Sequence, residues 1–198
     1  RMRIAGAVIA GGRSSRMGQE KAFEILGGQT LLAHVIARIA SQTDEVFINA
    51  NGDPARFDGF GRAVIPDLSS GIASPLAGLQ TCLQFAAAGH FDAVLTVPSD
   101  SPFVPRDLVR RLAEGSPRAA IARSGGQDHF LTGLWSVGLR PELDRAMAQE
   151  GLVRVKDWVR RCQAVSVAWP VGPHDPFFNV NTPEDLADAR RIAAGFPA

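Results

Sequence analysis

Val8-Ile9-Ala10-Gly11-Gly12-Arg13-Ser14-Ser15-Arg16-Met17-Gly18, followed closely by Lys21, is the stretch from which the rest of the chain can be read. The apolar run over residues 3–9 predicts a first β-strand that stops abruptly at two glycines. Glycine lets the backbone approach a ligand closely, and consecutive N–H groups in such a turn form a concavity for anions. Arg13, Arg16 and Lys21 add positive charge to the same loop, which suits a polyphosphate better than a neutral ligand. Two glycines after a strand also make an ordinary turn, and loop arginines are commonly solvated. Three basic residues packed directly behind the first strand weigh toward phosphate.

Two phosphate motifs are excluded. No Gly-Lys-Ser or Gly-Lys-Thr occurs, so there is no P-loop, and no G-x-G-x-x-G follows the first strand. The length of 198 residues suits one α/β domain, expected over residues 2–198 with Met2 as the natural start. A net charge of +1 gives no footprint for general nucleic-acid or membrane-surface binding, so any anion site must be local. The apolar run over 4–10 is too short for a membrane span and lacks a cleavage-like sequel. Cys82 and Cys162 sit in apolar helical patterns, which predicts buried free thiols and a cytoplasmic protein.

Strand-like runs alternate with amphipathic helical ones. Strands are expected over 3–9, 45–49, 63–65, 93–97, 119–123, 132–137 and 165–169. Helices are expected over 31–40 behind Thr30, 75–88 behind Ser74-Pro75, 105–114, 141–149, 153–162 and 183–194 behind Thr182-Pro183-Glu184-Asp185. This alternation predicts a mostly parallel sheet in a three-layer α/β fold, with ligand at the carboxyl ends of the strands. That rule gathers Gly11, Asn49, Asp67 and Asp100, all at or just past predicted strand ends.

Asp100, in Pro98-Ser99-Asp100-Ser101-Pro102, follows the most apolar strand and is placed as a Mg²⁺ ligand, although an aspartate between prolines also makes a turn. Asp67, taken alone, reads as a turn residue at a strand end; Asn49 and Asn51 could cap or turn in the same way, although asparagine amides also recognise bases and riboses. Asn179 and Asn181 point the same way on an extended segment, lining a pocket or making a turn. His129 has no His or Cys at metal-ligand spacing, which argues against zinc. There is no G-x-S-x-G elbow, so covalent catalysis is not suggested.

Taken in order, the glycine loop with Lys21, Asn49-Ala50-Asn51, Asp67, Pro75-Leu76-Ala77-Gly78, Pro98-Ser99-Asp100-Ser101-Pro102 and Asn179-Val180-Asn181-Thr182-Pro183-Glu184 resemble the molybdenum cofactor guanylyltransferase family. The loop alone marks only the wider nucleotidyltransferases; the later motifs make the resemblance specific, and it runs from residue 4 to about residue 189. It implies a Rossmann-like nucleotidyltransferase fold and transfer of GMP from GTP to the terminal phosphate of molybdopterin, with release of pyrophosphate. It further implies nucleotide contacts at Ile9, Ala10, Gly11, Gly12, Lys21, Asn49, Asp67 and Asp100, Mg²⁺ on Asp100, and catalytic roles for Arg16, Lys21 and Asp100. His129, Asn179 and Asn181 fall to the acceptor pocket. The acceptor's phosphate oxygen is already ionised near neutral pH, so no strong general base is needed.

The implied partners are the two substrates, with molybdenum-insertion proteins and molybdoenzyme chaperones beyond them. The chain departs from the family pattern at Gln19-Glu20, where an aspartate beside the lysine is common, and at Phe130, where a proline after the histidine is frequent. A molybdopterin cytidylyltransferase, another small-molecule nucleotidyltransferase and a nucleotide-binding adaptor in cofactor assembly are the alternatives.

Overall fold

The structure is a computed structural model that describes residues 1–11, 21–68 and 74–195; Gly12, Arg13 and Arg16 lie outside the described residues. β1 (Ile4–Ile9) is buried along its whole length because it is covered on both faces and paired on both edges. Its neighbours, β4 (Glu45–Asn49) and β6 (Ala93–Pro98), both run parallel to it. Alternate residues of β1 serve opposite layers. Ile4 and Val8 pack with α1 (Leu31–Ala40) and α3 (Leu108–Gly115), through Leu32, Val35, Ile36, Ile39, Leu108 and Leu112. Ala5, Ala7 and Ile9 pack with α2 (Pro75–Ala88), α4 (Arg140–Glu150) and α5 (Val155–Arg161), through Leu76, Leu79, Leu83, Leu143 and Trp158. This is the three-layer α/β arrangement expected of a doubly covered sheet.

The sheet has seven strands in the order β5 (Val64–Ile65), β4, β1, β6, β8 (Gln127–Ser136), β7 (Ala119–Ser124) and β9 (Val165–Trp169). Four of the six pairings are parallel; β8 runs antiparallel to both β6 and β7. A small hairpin of β2 (Ile25–Leu26) and β3 (Gln29–Thr30) feeds α1. The last helix, α6 (Pro183–Ala193), packs on that hairpin through Leu26, Val180, Ala189 and Ile192.

Helix starts follow local chemistry. Thr30, Ser74 and Thr182 each accept a backbone N–H three residues on, and Thr182 with Asp185 closes a reciprocal capping box. Three expectations are corrected. α3 begins at Leu108, not at Pro105, because residues 105–108 form a turn closed by the Leu108 N–H on the Pro105 carbonyl (3.3 Å); Asp107, which gives no side-chain cap, accepts the Trp169 indole N–H (3.1 Å). β8 begins at Gln127, five residues before the expected start, as the second arm of a tight hairpin through Gly125 (φ 54°) and Gly126 (φ 77°). Residues 54–60, expected to be loose, form a 3₁₀ turn whose Phe57 is buried against Phe23 and Phe60. Among the described residues, no helix is long and apolar enough to cross a membrane.

Candidate active site at the carboxyl ends of the strands

The carboxyl ends of β1, β4 and β6 are tied together beyond the regular ladder. Ala10 N–H donates to the Asn49 carbonyl (2.9 Å) and Ser99 N–H donates to the Ile9 carbonyl (3.0 Å). Three loops therefore leave the sheet from one fixed platform. They frame a cleft of about 200 Å³ lined by Ile9, Ala10, Gly11, Lys21, Pro98, Ser99 and Asp100 together with Pro75, Leu131 and Asn181.

Asp100 is the chemically distinctive group in this cleft. Its Oδ1 is buried and has no hydrogen-bond partner among the described residues. Burial pushes its carboxyl above the ordinary carboxylate range, against the opposing pull of a backbone hydrogen bond and the nearby Lys21 ammonium. The loop is pinned from outside, since the Asp100 carbonyl accepts Val180 N–H (2.9 Å) and Ser101 Oγ donates to Asn179 Oδ1 (2.8 Å). Asn179 thus braces the Asp100 loop, while Asn181 lines the cleft.

A second recess shares Ile9 and Gly11 with the cleft and adds Asn49, Asn51, Asp67, Ser74 and Gly78. Asn49 Nδ2 donates to Asp67 Oδ1 and to the Ile65 carbonyl, both at 3.0 Å. A methyl group on Gly78 would lie 2.7 Å from Asn49 Oδ1, so only glycine lets α2 approach this amide. A third hollow of about 180 Å³ adjoins the cleft through Lys21 and Asn181 and is walled by Glu24, Val180, Thr182, Pro183 and Leu186.

The structure therefore brings Ile9, Ala10, Gly11, Lys21, Asp100 and Asn181 to one cleft, with Asn49 and Asp67 in the recess beside it. His129 is placed apart. Ser124 Oγ donates to Asp175 Oδ1 (2.8 Å) and meets His129 Nε2 at 2.7 Å, while Phe177 N–H also reaches Asp175 Oδ1 (2.9 Å). The His129 ring rests on Phe177 at 4.9 Å, outside the lining of the cleft. The early start of β8 carries His129 past the end of β6, where it pairs with Ala122 and its ring nitrogen meets Ser124 Oγ. The trio is not a nucleophilic triad, because the serine proton is committed to the aspartate and not to the histidine.

Leu131 had no sequence signal. The β7–β8 register shifts between Ile121 and Ala122, leaving residues 130–132 in a bulge, and Thr96 Oγ1 holds the Leu131 carbonyl at 2.8 Å. A bulge of this kind re-aims a side chain beside a site. Both cysteines are buried and free; burial raises the Cys82 thiol and pushes Cys162 up to about 11, so neither supplies a thiolate.

Fold and strand-end cleft together define a nucleotidyltransferase, and the chain belongs to the MobA-like NTP transferase family, whose domain model matches residues 6–165. Among its relatives, molybdenum cofactor guanylyltransferase of Bradyrhizobium sp. (strain ORS 278) is 45% identical, over 96% of this chain and 93% of the relative. Among solved structures, molybdopterin-guanine dinucleotide biosynthesis protein A from Archaeoglobus fulgidus superposes with a TM-score of 0.70 at 25% identity, covering 97% of this chain and 100% of that one. Rv0371C of Mycobacterium tuberculosis, solved in complex with manganese, has the same fold (TM-score 0.67, 19% identity, 96% and 98% coverage).

Proposed function

We propose that this chain, as a single domain over residues 2–198, transfers GMP from GTP to the terminal phosphate of molybdopterin. The acceptor oxygen forms a bond to the α-phosphorus of GTP, the α–β bridge breaks, and pyrophosphate leaves. The observation that carries this reading is the Asp100 carboxylate, held beside Lys21 at the strand ends with one buried oxygen unpartnered among the described residues. A buried acceptor without a partner costs folding free energy, about 1–3 kcal/mol, and is retained where a ligand satisfies it.

Mg²⁺ fits that oxygen. The described residues hold no cluster of three His, Cys, Asp or Glu, but Mg²⁺ is commonly held by one or two carboxylates with substrate phosphates completing the shell. When bound, it would neutralise charge on the phosphate oxygens. The chain's own residues do the positioning. Gly11 leaves room for the phosphates, Lys21 draws them by charge, and the platform of Ile9, Asn49 and Ser99 keeps the loops in register. Gly12 and Arg16 belong to the same phosphate loop by sequence.

Asp67 favours guanine over cytosine. Guanine offers two adjacent donors, N1–H and the 2-amino group, to a carboxylate, whereas cytosine offers one donor beside an acceptor that would face the same negative oxygens. We place the acceptor on the Asn181 side of the cleft, and the protein in the cytoplasm, where molybdenum-insertion proteins and molybdoenzyme chaperones would meet it. The deciding measurement is pyrophosphate release from GTP and CTP with Mg²⁺, with and without molybdopterin. Release from GTP only when molybdopterin is present is expected; preference for CTP, or no release from either nucleotide, refutes the assignment.

A further inference from the structure

Asn51 stands at the base recess without a role in the reaction described above. It closes a ring of two hydrogen bonds with Asp67: its Oδ1 accepts the Asp67 N–H at 2.8 Å, and its Nδ2 donates to Asp67 Oδ2 at 3.1 Å. Asn49, buried to 2% exposure, donates to the opposite oxygen, Asp67 Oδ1. Two amides two residues apart at the end of β4 thus donate one hydrogen bond each to the two oxygens of a single carboxylate.

The geometry matters because the terminal torsion of an aspartate is broad. Held by Asn49 alone, the Asp67 carboxylate would pivot about that one contact. The second contact from Asn51 fixes its plane, and the backbone half of the ring fixes the loop that carries it. A carboxylate has about four acceptor positions. Two are taken by the amides, so each oxygen keeps capacity for a donor, and Asp67 lines the recess with Asn49 and Ser74.

We infer that Asn51 is a specificity-determining positioning residue: it holds the Asp67 carboxylate so that both oxygens meet a pair of adjacent donors on a purine edge. The inference rests on the guanine-nucleotide reading of the recess. It makes the 2-amino group of guanine a recognised group, because only a fixed carboxylate plane accepts from both donors together.

Inosine triphosphate, which lacks that amino group, is the probe. A hydrogen bond to a charged group is worth about tenfold or more in affinity. The native chain is therefore expected to prefer GTP over inosine triphosphate by about tenfold or more in kcat/KM for pyrophosphate release. In Asn51→Ala the ratio collapses toward unity, chiefly through a higher KM for GTP. A purely structural role lowers both nucleotides together and leaves the ratio intact, and that result overturns the inference.

Asn51→Asp supplies an independent arm. With both carboxylates ionised they repel, and the GTP preference is lost. A GTP preference that survives in this variant counts against the inference. If the native chain prefers GTP and Asn51→Ala keeps that preference, only this inference falls. If the native chain does not distinguish the two nucleotides, the guanine reading falls with it.

Discussion

The parallel and antiparallel halves of the sheet treat their buried polar groups in opposite ways. At the ends of β1, β4 and β6, Asp100 keeps a buried oxygen without a partner among the described residues, and Asp67 is held by two amides at the wall of a small recess. At the ends of β7 and β8, Ser124, His129 and Asp175 satisfy one another and the Phe177 N–H. The parallel half holds polar capacity in reserve, at a cost in stability, where a ligand is to be bound. The antiparallel half uses its polar groups internally and works as a brace. The segment it anchors at Asp175 runs on to Val180, whose N–H docks on the Asp100 carbonyl.

The sharpest way to break this comparison is Asp100→Asn. Activity should fall about 10²- to 10³-fold, the size of loss seen when one electrostatic group is removed from a reacting centre. Stability without ligand should rise by about 1 kcal/mol, because a buried charge whose desolvation outweighs its hydrogen bonds and the pull of Lys21 has been removed. The pH sense follows from the raised carboxyl of Asp100. The protonated group is favourable at low pH, and its contribution is lost as pH rises through the folded value, so the gain in the variant appears on the neutral side. Denaturant melts at pH 4 and pH 7 with pyrophosphate assays check both parts; a variant that loses stability at neutral pH would make Asp100 a structural residue.

Next in size is Gly78→Ala. The new methyl group would sit 2.7 Å from Asn49 Oδ1 in a packed wall, and overpacking of this kind costs about 1–3 kcal/mol. KM for GTP should rise as the Asn49 amide moves off Asp67. On the other side of the comparison, Asp175→Ala strands Ser124 and the Phe177 N–H, for a similar cost of about 1–3 kcal/mol. The thermal shift produced by GTP should be unchanged in Asp175→Ala and reduced in Gly78→Ala. Equal losses of GTP response in the two variants would erase the distinction between the halves.

Legibility in sequence divides along the same line. Thr30, Ser74-Pro75 and Thr182 with Asp185 could be read because a cap involves groups only a few residues apart. Gly11, Asn49, Asp67 and Asp100 could be gathered because parallel strands deliver their ends to one edge. The antiparallel half resisted. Its determinants are non-local: Ser124 meets an aspartate 51 residues away, and Leu131 reaches the cleft through a bulge held by Thr96, 35 residues earlier. Polar Gln127-Asp128-His129 does not look like the start of a strand, and the pairing that makes it one is with β7. Asn179 could be placed near the site, but its engagement by Ser101, 78 residues away, could not be read.

The smallest expected effect tests whether the brace is electrically quiet. Burial holds the His129 imidazole below its ordinary value, while Asp175 and then Asp128 pull it upward. With the Ser124 proton given to Asp175, Nε2 carries its own hydrogen and donates to Ser124 Oγ, so the neutral ring completes the network. Because the folded value lies below the unfolded one, the native state binds fewer protons between the two, and stability falls as pH drops through that window. Half-burial and solvent screening keep the effect small, below the roughly 2–4 °C that 1 kcal/mol produces in a domain of this size. Melting curves from pH 7 to pH 5 should show this slope in the native chain and a flatter one in His129→Gln. GTP affinity should keep the same pH dependence in both, since His129 lies outside the cleft; a GTP response that followed His129 would carry the brace into the binding chemistry.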